Sequence, residues 1–200
     1  MIQTATATGL VDLIAPDPAL LTPAAMAAGL AKLNRFAGNT QVPFSVAQHS
    51  VLVRDIFVRI APRISPSLVP WSIHALLHDG HEYLIGDLIG PLEQLLSQRV
   101  PGFVRELTII KRQLDHAIGV AWNIPQPPYH VREVIQLADQ HAAWFEWASL
   151  MSGDNPFKAP DPRIVRNVWR APVPWTDAAD LFLTELEREL GMKPWENVPA

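Results

Sequence analysis

A chain of 200 residues with 48% apolar and 18% charged side chains has enough apolar content for one buried core and too little charge for a disordered, tail-like polypeptide. Sixteen lysines and arginines against twenty aspartates and glutamates leave a formal charge of −4, which argues against the basic surface that sequence-independent binding of a nucleic-acid polymer needs. There is no cysteine, so disulfides, thiolate zinc sites and thiol catalysis are removed together, and any metal must be held by His, Asp and Glu.

Nineteen prolines punctuate the chain between apolar periodic segments. Residues 1–21 lack a helical period and predict an extended arm, with strand-like pairing around Gly9 to Ile14 as the alternative. The first residues carry no cationic start, and no uncharged apolar run approaches the ~18 residues of a membrane span, so the expectation is a cytoplasmic protein without leader, anchor or membrane partner. Thr22-Pro23 opens a first helix running to about Asn34, and Ser45-Val46-Ala47-Gln48 reads as a capping box opening a second. His49 falls on the buried face of that second helix, between Val46 and Val53.

A third helix is expected after Pro70, running through His78 and Asp79 to Gly86. Pro91 opens a short helix, Phe103 to Ile118 forms another ended by Gly119, and a long apolar helix follows from Tyr129 to Leu150 with Asp139 in its middle. A short helix over Arg163 to Arg170 and a last one, capped by Thr176 and terminated by Gly191, complete the expectation. The predicted fold is one all-α domain over residues 1–200, with six to eight helices behind an extended N-terminal arm and no confident strand.

Polar residues carry the functional signal. His74, His78 and His81 crowd one short stretch beside Asp79, Glu82 and Asp87. At helical spacing one element then offers His78 and Asp79 as adjacent metal donors, and the missing donors must come from inward-facing polar groups elsewhere. His49 and Asp139 are the candidates. Asp139 lies in an apolar run, where burying its carboxylate would cost several kcal/mol without a cation or hydrogen bonds. Taken singly, His49 reads better as a hydrogen-bonded core histidine, the histidine cluster also fits a solvated helix end, and Asp139 also fits a polar stripe near Arg132. His74 and His78 have the spacing of a metallopeptidase pair, but the glutamate that should follow the first histidine is missing. Trp71, Trp122, Trp144, Trp147, Trp169 and Trp175 lie in apolar segments and read as core rather than as stacking platforms.

The string Ser45-Val46-Ala47-Gln48-His49-Ser50, then His78-Asp79-Gly80-His81-Glu82 through Gly86-Asp87 to Gly90-Pro91, then Ala138-Asp139, resembles the HD-domain metal-dependent phosphohydrolases, in the branch of bacterial 5′-deoxynucleotidases and phage nucleotide phosphohydrolases. The resemblance covers about residues 30–150 and implies an HD-type helical bundle. It implies His49, His78, Asp79 and Asp139 as ligands of one divalent ion (Mn, Co, Fe, Ni, Zn or Mg), with Glu82 and Asp87 acting on the attacking water. Asn34-Arg35-Phe36-Ala37-Gly38-Asn39 looks like the segment that brings an arginine to the phosphate and an aromatic ring to the nucleoside, which makes Arg35 the phosphate clamp and Phe36 the base contact. Where relatives often carry a lysine two residues after the proline, this chain has Glu93, so Lys111, Arg112 or Arg132 would have to supply a second cationic contact. The implied activity is hydrolysis of (deoxy)nucleoside 5′-monophosphates. A dNTP triphosphohydrolase is the alternative within the fold, and a non-catalytic nucleotide-binding or scaffold domain the alternative outside enzymology. The implied partners are a small nucleotide and, as in relatives, a second copy of the chain.

Overall fold

The computed structural model describes residues 2–192. They form a largely α-helical body with one small hairpin, in agreement with an all-α reading. Gln3–Thr6 (β1) and Gly9–Asp12 (β2) pair antiparallel, so the N-terminal arm is a two-stranded hairpin rather than a simple extended segment. Val11 is fully buried, and together with the Thr8 hydroxyl donating to the Leu20 carbonyl at 2.7 Å it fastens the hairpin to the body.

Helix α1 (Pro23–Leu30) starts where expected, with the Thr22 hydroxyl accepting the Ala25 N–H at 3.2 Å, but it ends four residues before Asn34. Helix α2 (Val46–Ile64) is the central element and packs against α1 and against three later helices, over Ser72–Leu76, Tyr129–Leu150 and Trp175–Met192. Val46, Val53, Ile56, Phe57 and Ile60 are all buried on it, each contributing about 1.5–3 kcal/mol of transfer free energy. Its N-cap is half of the expected box. Ser45 Oγ accepts the Gln48 N–H at 3.2 Å, whereas the Gln48 amide reaches out to the Ala171 carbonyl and the Val173 N–H, tying the 171–173 loop to α2.

The expected third helix breaks. Helix α3 spans only Ser72–Leu76, and after a turn a single-turn helix α4 follows over Glu82–Ile85. His78 and Asp79 therefore lie on the turn and not within the helix that the spacing predicted. The turn has a local cause: the His78 ring takes the Ala75 carbonyl, the acceptor that Asp79 N–H would use in a continuing helix, and Gly80 N–H closes on Leu77 O instead. A Cβ on Gly80 would meet that Leu77 oxygen at 3.0 Å and Met26 Cε at 3.4 Å. Gly86, at φ +83°, then ends α4 in a conformation that favours glycine and turns the chain into Asp87.

Helices α5 (Gly90–Arg99), α6 (Phe103–Ala121) and α7 (Tyr129–Leu150) follow. Helix α6 runs on through Gly119, because its stop comes from Asn123 at φ +54°. Residues 163–170 form turns rather than a helix, with the Asp161 carboxylate capping the Arg163 N–H. The last helix, α8 (Trp175–Met192), starts one residue before Thr176 and continues past Gly191. Of the tryptophans read as core, Trp71 is buried, Trp122, Trp144, Trp147 and Trp169 are half-buried, and Trp175 is exposed under the Lys32 ammonium.

Candidate metal centre

Three elements bring the polar residues together. His49 is one turn into α2 and has no solvent exposure, Asp139 projects from the middle of α7, and the turn after α3 delivers His78 and Asp79 side by side. His49 Nε2 lies 3.1 Å from His78 Nε2, 3.5 Å from Asp79 Oδ2 and 3.2 Å from Asp139 Oδ1. His78 Nε2 lies 3.1 Å from Asp79 Oδ2 and 3.9 Å from Asp139 Oδ1. The Asp139 side chain is 38% exposed, so the cluster opens to solvent on its α7 side rather than being sealed as the apolar run suggested.

The hydrogen bonds on the far side of each ring decide what this cluster fits. His78 Nδ1 faces the Ala75 carbonyl at 2.9 Å, which can only accept, so Nδ1 carries the proton and Nε2 presents a lone pair. His49 Nδ1 faces Glu146 Oε1 at 2.5 Å, and the same argument leaves a lone pair on His49 Nε2. The two imidazole nitrogens and the Asp79 carboxylate then form one close group, and Asp139 joins it from the His49 side. Donors ~2.1 Å from one ion stand ~3.0–3.4 Å apart at octahedral or tetrahedral angles, and most of the separations above match. Mixed nitrogen and oxygen donors suit a first-row divalent ion, so the residues fit the metal that the motif implies. Without an ion a proton takes the place. Burial and the Arg35 charge would lower the His49 pKa, but Glu146, Asp139 and Asp79 together hold it well above the usual histidine range. Burial would raise Asp79, and the two histidines pull it well below the usual carboxylate range.

Glu146 was not among the sequence candidates, although the signal was there. It lies two helical turns beyond Asp139 on the same face of α7, a carboxylate flanked by Phe145 and Trp147, and it is fully buried. Its second oxygen, Oε2, accepts from Arg35 Nε at 3.2 Å, so Arg35 is linked to the centre through Glu146 and His49. Among the described residues the two Nη groups of Arg35 have no protein acceptor, and against burial Glu146 first, then Asp79, Asp139 and Asp87, hold its guanidinium charged. Replacing Glu146 by glutamine should weaken divalent-ion affinity by about 10–100-fold, the usual cost of losing a group that orients a metal-ligating histidine. Affinity in the wild type should also rise with pH, because the ion displaces the His49 proton. Titration with Mn²⁺ at two pH values checks both, and an affinity indifferent to Glu146→Gln would remove its orienting role.

The two expected water-handling carboxylates are not equivalent. Glu82 is 5% exposed, its Oε2 has no partner, and with Asp79 and His81 it forms a second group of close donors. Burial, reinforced by Asp79 and Asp87, pushes Glu82 up to about 9. Asp87, on the segment after α4, is half-buried and raised more mildly, with burial again first and Arg35 opposing. His81 donates through Nδ1 to Asp115 Oδ1 of α6 at 2.9 Å, a partner that no local pattern announced. Phe36 stands at φ +55°, its ring edge-on to Trp147 at 6.0 Å and next to the Arg35 guanidinium at 5.6 Å. Glu93 is half-buried on α5, and Arg112 and Arg132 line a cavity of about 590 Å³ between α6 and α7 that also includes His78 and Asp139 in its wall.

No protein-family model matches the sequence. The chain is 32% identical over 166 residues to an uncharacterized protein of Rhodobacter capsulatus, an alignment that takes in 78% of this chain and 79% of the other. Identity of that level over most of both chains makes the two members of one family, and this chain belongs to the family of that uncharacterized Rhodobacter capsulatus protein.

Proposed function

We propose that this protein is a divalent-metal-dependent nucleotide phosphohydrolase, releasing phosphate from (deoxy)nucleoside 5′-monophosphates. The observation that carries the reading is the close group of His49, His78 and Asp79, with Asp139 against His49, beside a buried Glu82 oxygen without a partner among the described residues and the Nη groups of Arg35. The resemblance of the His49, His78-Asp79 and Asp139 segments to HD-domain phosphohydrolases supports it.

His49, His78, Asp79 and Asp139 would hold the ion, which supplies Lewis acidity toward the phosphate and toward water. The residues themselves do the rest. Glu146 fixes the His49 ring, and the Ala75 carbonyl fixes His78, so both lone pairs stay aimed at one point. Glu82 takes the proton of the attacking water as its oxygen bonds to phosphorus. The P–O5′ bond breaks, and the proton passes to the departing O5′ of the nucleoside. Asp87 orients the water from the α4 side. Arg35 offsets charge on the phosphate with its Nη groups while its Nε edge remains on Glu146.

A phosphate-release assay across the deoxynucleoside monophosphates, with Mn, Co, Ni, Zn and Mg in turn, tests the reading. Arg35→Ala should lower release from every nucleotide by about 10²–10³, as loss of a transition-state donor does, with ion content measured alongside. A metal-loaded protein that frees phosphate from no nucleotide would overturn the enzyme assignment and leave a nucleotide-binding scaffold. Tripolyphosphate from dNTPs with no phosphate from dNMPs would shift the substrate to triphosphates.

A further inference from the structure

The cavity between α6 and α7 has a use that the metal-site residues do not cover. It shares His78 and Asp139 with the centre, so a group bound to the ion borders directly on it. Its volume of about 590 Å³ falls in the range of small-molecule pockets. Leu77, Ile118, Ile124 and Ile135 supply apolar walls, while the side-chain amides of Gln126 and Gln136 bring paired donors and acceptors. Two further imidazoles, His116 and His74, and the Asp115 carboxylate that is held by His81 also line it, and the buried His74 Nε2 has no partner among the described residues. Apolar walls with a few amide and imidazole groups match a flat heterocycle, which needs contact on its faces and hydrogen bonds at its edge. Phe36, the ring expected to hold the base, is committed elsewhere: Trp147 meets its ring edge to face, and the Arg35 guanidinium stands next to it.

We propose that the nucleobase of the substrate is bound in the α6–α7 cavity, with His74, Gln126 and Gln136 at its edge, and not on Phe36. The proposal rests on the phosphohydrolase reading for its choice of ligand. Burial pushes His74 down to about 4, with the Arg132 charge adding to it against a Pro125 backbone contact, so at neutral pH the ring is uncharged and suited to a neutral base. Arg112 and Arg132 stand at the exposed rim, and the predominance of apolar wall favours a base over a polyphosphate tail.

The test is calorimetric titration with 2′-deoxyadenosine and thymidine, in chelated and in Mn²⁺-loaded protein, with inorganic phosphate and tripolyphosphate titrated separately. Ile135→Trp, which fills the cavity, should weaken nucleoside binding by at least about tenfold while ion content and phosphate affinity are kept. Should that variant unfold, Gln136→Leu on the exposed rim and the His74 ring resonances of the wild type decide: nucleoside must shift those resonances. Nucleoside affinity lost in Phe36→Ala but retained in Ile135→Trp would overturn the proposal. So would wild-type protein that binds no nucleoside, or one whose cavity takes tripolyphosphate alone. Nucleoside seated in the cavity of a protein that releases no phosphate would instead sustain the subsite and overturn the hydrolase reading, so the two failures are distinct.

Discussion

Replacing His78 or Asp139 by alanine is expected to strip the protein of its divalent ion. Wild-type protein purified without chelator should carry close to one ion per chain by elemental analysis, and each variant well under half. The expectation follows from the donor geometry: each residue removed takes one of four candidate donors, His78→Ala leaving one imidazole beside two carboxylates that repel each other and Asp139→Ala leaving two imidazoles with a single carboxylate. An ion held there would join α2, α7 and the turn after α3, and would stabilise the fold by mass action, by about 4 kcal/mol at a thousandfold excess over its dissociation constant. For a chain of this size that corresponds to roughly 10 °C in melting temperature. Chelation should produce the same fall in wild-type protein and almost none in the two variants. Stoichiometric metal retained by both variants would sink the assignment of these four residues.

The second large effect is on turnover. Glu82→Gln should keep the ion and the fold yet lower phosphate release by about 10²–10⁴, the range for loss of a general acid–base group. The buried, unpartnered Oε2 and the negative field of Asp79 and Asp87 explain why this carboxyl holds its proton so firmly when no ion is present, at about 9. A cation at the neighbouring donors would oppose both that field and the effect of burial and so lower the Glu82 pKa, which is the direction its role as a base requires. Glutamine keeps the shape and a carbonyl acceptor but cannot take a proton, so the variant separates proton transfer from packing. If ion content falls in step with activity, Glu82 is a ligand, and Asp87→Asn becomes the variant in which to look for the base.

The helix expected from about Tyr129 to Leu150 was legible in the sequence, because a long apolar period that starts just after Pro127 and Pro128 leaves no competing structure. The start of α2 was equally plain, since the Ser45 hydroxyl satisfies an amide that only a helix leaves orphaned. His49 could be assigned to the buried face on period alone, and Asp139 could be flagged because a carboxylate in an apolar run needs compensation. The break between α3 and α4 was not legible. Its cause is a side chain, His78, competing for a backbone carbonyl, and helical spacing does not contain that fact. Glu146 and Asp115 were missed for a related reason: each matters only through a ring nitrogen that another element brings to it. Sequence alone thus determined which donors exist and which elements carry most of them. Tertiary structure decided which lone pairs face one another, because a histidine's tautomer is set by the partner on its far side, and that partner comes from elsewhere in the chain for His49 and from the local turn for His78.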